Sequence, residues 1–345
     1  MSGLANRYNW VKSPLIASAP MRLISGPALA HAVSSAGGFG FLAAGVDVTN
    51  LSQDLQTFKS ILSTSPVPNY SLDVLPVGVG FILWGADLQH TLQILSQPDT
   101  PPPAAAWLFA PSNPSQLKSW AEGIRTATES KTDIWVQVSS VADAIETMAV
   151  ASPDVLVVQG CDAGGHGRYQ SAGLISLLPE VIDAVSAYCD KKDIPVPFFI
   201  AAGGISDVRG VGAAVALGAE GAALGTRYLA SEEAIIKKGY QDAVIRASDG
   251  GVSTVRTDVY DKLRGTANWP EGYGGRGVTN KSYEDAMGGK DFEENTKLYK
   301  AAEAMGDAGW EGEEARMTTY AGTGVGLVTK VMGAAQITRE VRGEK

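Results

Sequence analysis

Eight short apolar runs, each followed by a segment of helical spacing, constrain this chain more than any other feature of its 345 residues. The runs are Pro14–Pro20, Phe39–Gly45, Val74–Ile82 and Ala105–Pro111, then Asp133–Ser139, Asp154–Gly160, Val196–Gly203 and Gly221–Leu229. Their hydrophobicity is continuous rather than alternating, as expected of parallel strands covered on both faces. Between them, Gly26–Ala36 puts Leu29, Ala32 and Val33 on one helical stripe. Val141–Val150 follows Ser139 and Ser140, which suit an N-cap, and Asp207 stands at the head of Asp207–Leu217. Eight alternations exceed what a doubly wound sheet of five or six strands would show, and predict an α/β fold, the TIM (β/α)8 barrel.

The rhythm breaks once. From about Ser231 to Thr319 the chain turns polar and glycine-rich, with a charged helical patch at Asp291–Ala304 and a loop-like stretch at Trp269–Asn280. An apolar, helix-like segment, Gly322–Ile337, follows. The expected organisation is a barrel of residues 1–231 and 320–345, with residues 232–319 inserted after the eighth strand, over the C-terminal mouth. Such an insertion serves as a lid that shapes a pocket, or as a peripheral or dimerisation element.

Composition narrows the partners. With 37 acidic against 28 basic residues, the net charge of −9 argues against nucleic acid or an anionic membrane. A phosphate ligand stays open, because backbone N–H groups and helix N-termini bind it without many lysines. Two cysteines, Cys161 and Cys189, make no disulfide framework. The segment MSGLANRYNWVKSPL lacks the apolar core of a signal peptide, no apolar stretch reaches the roughly 18 residues of a spanning helix, and the ending is not of the peroxisomal type. The expectation is a soluble, cytoplasmic protein; its oligomeric state is not legible.

Candidate chemistry concentrates in Val157–Gly173, VVQGCDAGGHGRYQSAG. A strand ends there and enters a loop at the C-terminal face, where barrels build active sites. Gly164 and Gly165 allow close approach to a flat ligand, and Gln159 can donate and accept hydrogen bonds. His166 is suited to remove a proton near neutral pH, the alternative being a loop histidine satisfied by backbone. His31 and His90 lie in helical patterns and read as structural, His31 at the surface or its boundary. No HExxH and no histidine–carboxylate cluster is present, so no metal site is expected.

A second signal spans two consecutive strand ends. Ile200–Gly204 leads into Ile205, Ser206 and Asp207, and Leu224, Gly225 and Thr226 end the next run. Barrels hold phosphate at the loops after strands seven and eight, where N–H groups face the anion. Gly203 and Gly204 offer such groups and Thr226 a hydroxyl. Neither a Walker lysine pattern nor a strand-following GxGxxG occurs. Gly37, Gly38 and Gly40 read as a tight turn into the second strand, and Cys161 as a packing residue.

These pieces together resemble a family. The opening PLIASAPM…LAHAVSSAGGFGFLAAG, the loop VVQGCDAGGHG, the pair AAGGISDVRGVGAAVALGAEGAALGTRYL and the closing YAGTGVGLV are similar to nitronate monooxygenases, formerly 2-nitropropane dioxygenases. The resemblance spans nearly the whole chain in order and is weakest through 84–130 and 232–315. It implies a TIM barrel with a smaller inserted domain, and FMN as cofactor. The backbone of Ala19, Pro20 and Met21 would then lie near the flavin ring, with Gln159, Gly164 and Gly165 beside it. Gly203, Gly204, Leu224, Gly225 and Thr226 would cradle its phosphate, and His166 would be the catalytic base.

Two positions depart from the pattern: Gly80, at the third strand end, stands where relatives often place asparagine, and Asp162 where many have glutamate. The implied activity is oxidation of nitroalkanes or alkyl nitronates with O2 to a carbonyl compound and nitrite, with the base needed only for neutral nitroalkanes. NAD(P)H-dependent quinone or enoyl reductases, a phosphate-binding aldolase or synthase, and a non-catalytic flavin scaffold remain alternatives on such a barrel.

Overall fold

Parallel pairing organises the chain. The computed structural model describes residues 3–344, so the first two residues of the N-terminal segment and Lys345 lie outside it. The strands are β1 (Leu15–Ser18), β2 (Phe41–Gly45), β3 (Leu75–Ile82) and β4 (Pro103–Phe109), then β5 (Asp133–Val138) and β6 (Val155–Gln159). After these come β7 (Gly165–Arg168), β8 (Phe198–Ala202) and β9 (Gly221–Leu224), and finally β10 (Thr254–Thr257) and β11 (Tyr273–Val278).

Eight of them form one parallel sheet in the order β1-β9-β8-β6-β5-β4-β3-β2. Between its two edge strands, Phe39 N–H donates to Ile16 and Ser18 N–H to Phe39, so the sheet nearly closes on itself. All eight apolar runs become barrel strands, and the (β/α)8 expectation describes the chain. Helices fill the connections at the expected places, Pro27–Ser35, Val141–Ala151 and Val208–Ala216 among them. The Ser140 and Asp207 side chains accept backbone N–H bonds at the starts of the latter two, as N-caps do.

The barrel's lower end is closed by aromatic packing. Phe39, Phe41, Trp107 and Trp135 stack together with Tyr8 from the N-terminal segment, with centroids 4.7–6.4 Å apart for the joined pairs. Arg7 pairs with Asp133 and Asp154, and the Trp135 indole donates to the Tyr8 hydroxyl at 3.1 Å. Burying these rings and satisfying their polar handles leaves the opposite, C-terminal end as the open one.

Two segments and one side chain differ from their sequence-based expectation. The eighth run stops at Leu224, and Thr226–Leu229 turns into a short helix. Gly322–Ile337 is not one helix: Thr323–Leu327 is a 3-10 turn, and the last barrel helix is Ala334–Arg342. Four glycines between 322 and 333 lower helix propensity there, and the apolarity reflects burial of Val325, Val328 and Met332. His31 is buried rather than peripheral, its Nε2 2.6 Å from the Ser65 carbonyl.

Residues 232–319 carry a small apolar core of their own, built on Leu263, Tyr299, Ala302, Trp310 and Met317. They also form an antiparallel sheet, β10-β11-β7, whose third strand is the glycine–histidine loop of the barrel. No helix among the described residues is long and apolar enough to cross a membrane.

Candidate active site

At the end of β6, Gln159 is buried, and a buried amide needs partners. Its Oε1 accepts from Gln137 Nε2, and Gln137 Oε1 in turn accepts from the Trp107 indole at 3.1 Å. Gln159 Nε2 lies 3.4 Å from the His166 carbonyl. A polar ladder across three strands therefore ends at the histidine's own backbone.

Beyond Gln159 the chain makes a turn and returns as β7, which pairs with β11 so that His166 faces Gly275 in register. Two arginines of the insertion hold this turn. Arg256 Nη1 donates to the carbonyls of Gly165 (3.0 Å) and Gly274 (2.7 Å), and Nη2 to Ala163 (2.8 Å) and Cys161 (3.4 Å). Arg276 Nε donates to Cys161 at 3.2 Å. Burial, then the neighbouring Arg276, pushes the Arg256 guanidinium down to about 10, which leaves it cationic at neutral pH. Charge-assisted donors to backbone carbonyls are among the stronger hydrogen bonds.

The His166 ring is 14% exposed and fixed on two sides. Its Nε2 lies 2.8 Å from Oδ2 of Asp261, a nearly fully buried carboxylate in the helix Val259–Arg264. The other oxygen, Oδ1, accepts from the Tyr320 hydroxyl at 2.9 Å and from Thr266 at 3.2 Å. Burial, then Asp261, holds the Tyr320 hydroxyl well above its ordinary range, so it stays protonated and donates. Trp269 stacks on the imidazole with centroids 3.7 Å apart and planes 7° apart. Trp84, Phe109 and Tyr273 surround that indole at 5.5–6.2 Å, making an aromatic wall beside the histidine.

The glycine turns converge on the same mouth. Gly203 (φ +104°) and Gly204 (φ +75°) lie in the left-handed region, which only glycine enters cheaply. The N–H groups of Gly203, Gly204 and Gly225 donate to no described residue. Thr226 Oγ1 accepts from Gly322 N–H at 3.0 Å, which leaves its own proton to donate. Ala19 N–H donates to Leu224 at 2.9 Å, and Met21 lies across from Gly225. Pro20 packs against Gly80 so tightly that a Cβ there would stand 2.2 Å from the ring, so the asparagine of relatives has no room in this arrangement.

Gly164 is close-packed too, but against the chain itself: a Cβ would meet Gly322 N at 2.4 Å, whereas Gly165 faces open space. The run Tyr320–Leu327 thus seals the loop, with Thr323 bonding Asp162 through N–H (3.0 Å) and hydroxyl (3.1 Å) and Ser206 donating to Gly324. Every candidate residue read from the sequence sits at this one mouth. Asp261, Trp269, Tyr320 and Arg256 were not singled out. Their only sequence signals are the aromatic residues of the WPEGY stretch and the tyrosine heading YAGTGVG.

His90 is exposed on the helix Leu88–Leu95, away from this constellation. Cys161 enters it only through its carbonyl, and Cys189 is buried in the helix Leu174–Lys192. Among the described residues no group of three or more histidine, cysteine, aspartate or glutamate side chains could hold a metal ion.

A parallel (β/α)8 barrel with a carboxylate-bound histidine and open glycine turns at its C-terminal mouth has the layout of a barrel enzyme. Comparison with known proteins sharpens this. Residues 7–69 and 121–343 match the nitronate monooxygenase family model. The chain is 46% identical to nitronate monooxygenase npaC of Metarhizium robertsii, over 99% of this chain and 93% of that protein. It is 38% identical to a nitronate monooxygenase of Neurospora crassa, over 100% and 92%. The chain belongs to the nitronate monooxygenase family and is an oxidoreductase.

Solved structures agree on the fold. A nitroalkane oxidase from Streptomyces ansochromogenes superimposes with a TM-score of 0.70 at 24% identity, covering 96% of each chain. FabK from Thermotoga maritima gives 0.69 at 23% identity, covering 99% and 95%.

Proposed function

We propose that this enzyme binds FMN and oxidises alkyl nitronates, or the nitroalkanes that give rise to them, with O2 to a carbonyl compound and nitrite. The observation that carries the reading is the meeting, at one mouth, of a turn-borne set of free N–H groups with a buried, carboxylate-bound histidine. Gly203, Gly204, Gly225 and the Thr226 hydroxyl suit a phosphate monoester: each can donate, and none of the glycines bears a side chain to obstruct it. Ala19, Pro20, Met21, Gly80, Gln159, Gly164, Gly165 and Leu224 would line the rest of the cofactor's bed. FMN held by these residues would supply the redox chemistry of the reaction.

The chain's own residues do the rest. His166 removes the α-proton of a neutral nitroalkane, the step that a preformed nitronate does not need. Gln159 and the Arg256 clasp hold the histidine's backbone in register. The aromatic wall of Trp269, Trp84, Phe109 and Tyr273 keeps water from the base and favours apolar substrate chains. Residues 232–319 act as the lid, since they bring Asp261 and Trp269 to the histidine.

The test begins with the purified protein. It should be yellow, release FMN on denaturation, and with propyl nitronate and O2 yield one nitrite per aldehyde formed. A protein that cannot be loaded with FMN defeats the proposal.

A further inference from the structure

We infer that Asp261 is a positioning residue that fixes the tautomer of His166, holding the ring proton on Nε2 and so making Nδ1 the atom that takes the substrate proton. The inference rests on the reading of His166 as the base and assigns the atom and the partner that reading leaves open.

Three observations carry it. First, an ionised carboxylate only accepts, so the 2.8 Å contact between Nε2 and Asp261 Oδ2 requires a proton on Nε2. The neutral ring then has its lone pair on Nδ1, and Nδ1 has no hydrogen-bond partner among the described residues. Second, Asp261 cannot turn away. It is 3% exposed, and its Oδ1 is occupied by the donors Tyr320 and Thr266, so Oδ2 is the oxygen left for the ring. Third, the Trp269 stack holds the plane of the ring, and within that plane a 180° flip would put a carbon in place of Nε2 against Oδ2 and lose the Asp261 bond. A base oriented through its second nitrogen by a buried acceptor is a recurrent catalytic arrangement.

The same geometry predicts what an isosteric amide does. In Asp261→Asn the two donors, Tyr320 and Thr266, select the amide oxygen at the Oδ1 position. The NH2 group then faces Nε2 and donates to it, which drives the ring proton to Nδ1. The wrong tautomer puts the proton on the atom that should accept one.

The experiment uses the FMN-loaded full chain. Imidazole 15N spectra are tractable because the chain has only three histidines, and His166→Asn identifies the signal. The neutral His166 ring should be protonated at Nε2 in the native enzyme and at Nδ1 in Asp261→Asn. In parallel, kcat/KM for a neutral nitroalkane should fall at least about 100-fold in Asp261→Asn, while that for the matching preformed nitronate changes less than about 3-fold. An α-deuterated nitroalkane should show a larger isotope effect in the variant, as proton removal becomes slower.

A native His166 protonated at Nδ1 overturns the inference without any variant being needed. Equal losses on both substrates in Asp261→Asn also overturn it, since they mean a general structural role. If His166→Asn itself leaves nitroalkane turnover intact, the reading of His166 as base fails, and the inference with it.

Discussion

Three neighbours from another part of the sequence hold the His166 side chain. Asp261 fixes the edge, Trp269 covers the face, and Tyr320 keeps Asp261 in place. His166→Asn, in steady-state assays of nitrite release, is expected to lower kcat/KM for neutral nitroalkanes at least about 100-fold and that for nitronates only a few-fold. Comparable losses on both substrates would remove the histidine from the base role. Gly164→Ala tests the tight junction with Gly322, where an added Cβ would stand 2.4 Å from a backbone nitrogen. A strain of roughly 1–3 kcal/mol is expected, seen as a lower Tm and weaker FMN retention. His166 was legible in the sequence because glycines and a strand end mark it. Asp261 was not: it is one acid among 37, and 95 positions separate it from its partner.

At the level of elements, the barrel strands were readable because burial on both faces leaves an unbroken apolar run. β7 was not, because GHGR has no apolar pattern and pairs only through β11, more than a hundred residues away. The apolar stretch after residue 322 misled for the opposite reason: its hydrophobicity serves burial, while its glycines serve close contact with Asp162, Gly164 and Gly204. The β10-β11-β7 sheet is the mechanical link between insertion and barrel, and Arg256 is its clasp. Arg256→Gln removes charged donors from four carbonyls and should destabilise the loop by roughly 2–4 kcal/mol. Limited proteolysis should then cut near Cys161–Arg168 at protease levels that leave the native enzyme whole. An unchanged cleavage pattern would show that β-pairing alone holds the loop.

For the molecule as a whole, one end of the barrel is packed shut by aromatic rings and the other gathers the candidate site residues. The fold and most of the mouth follow from local patterns of strand, turn and glycine. The insertion's contribution does not, because its side chains meet the histidine only in three dimensions. Family membership makes the enzyme an oxidoreductase, and the proposed function takes its electrons from a carbon acid rather than from a nicotinamide. The most direct test is anaerobic addition of propyl nitronate and, separately, NADH to the FMN-loaded protein, followed at the flavin absorbance band. Bleaching by the nitronate within turnover time, and none on that timescale by NADH, is the expected result. Rapid bleaching by NADH with no response to the nitronate would contradict the account and make this barrel a nicotinamide-dependent reductase.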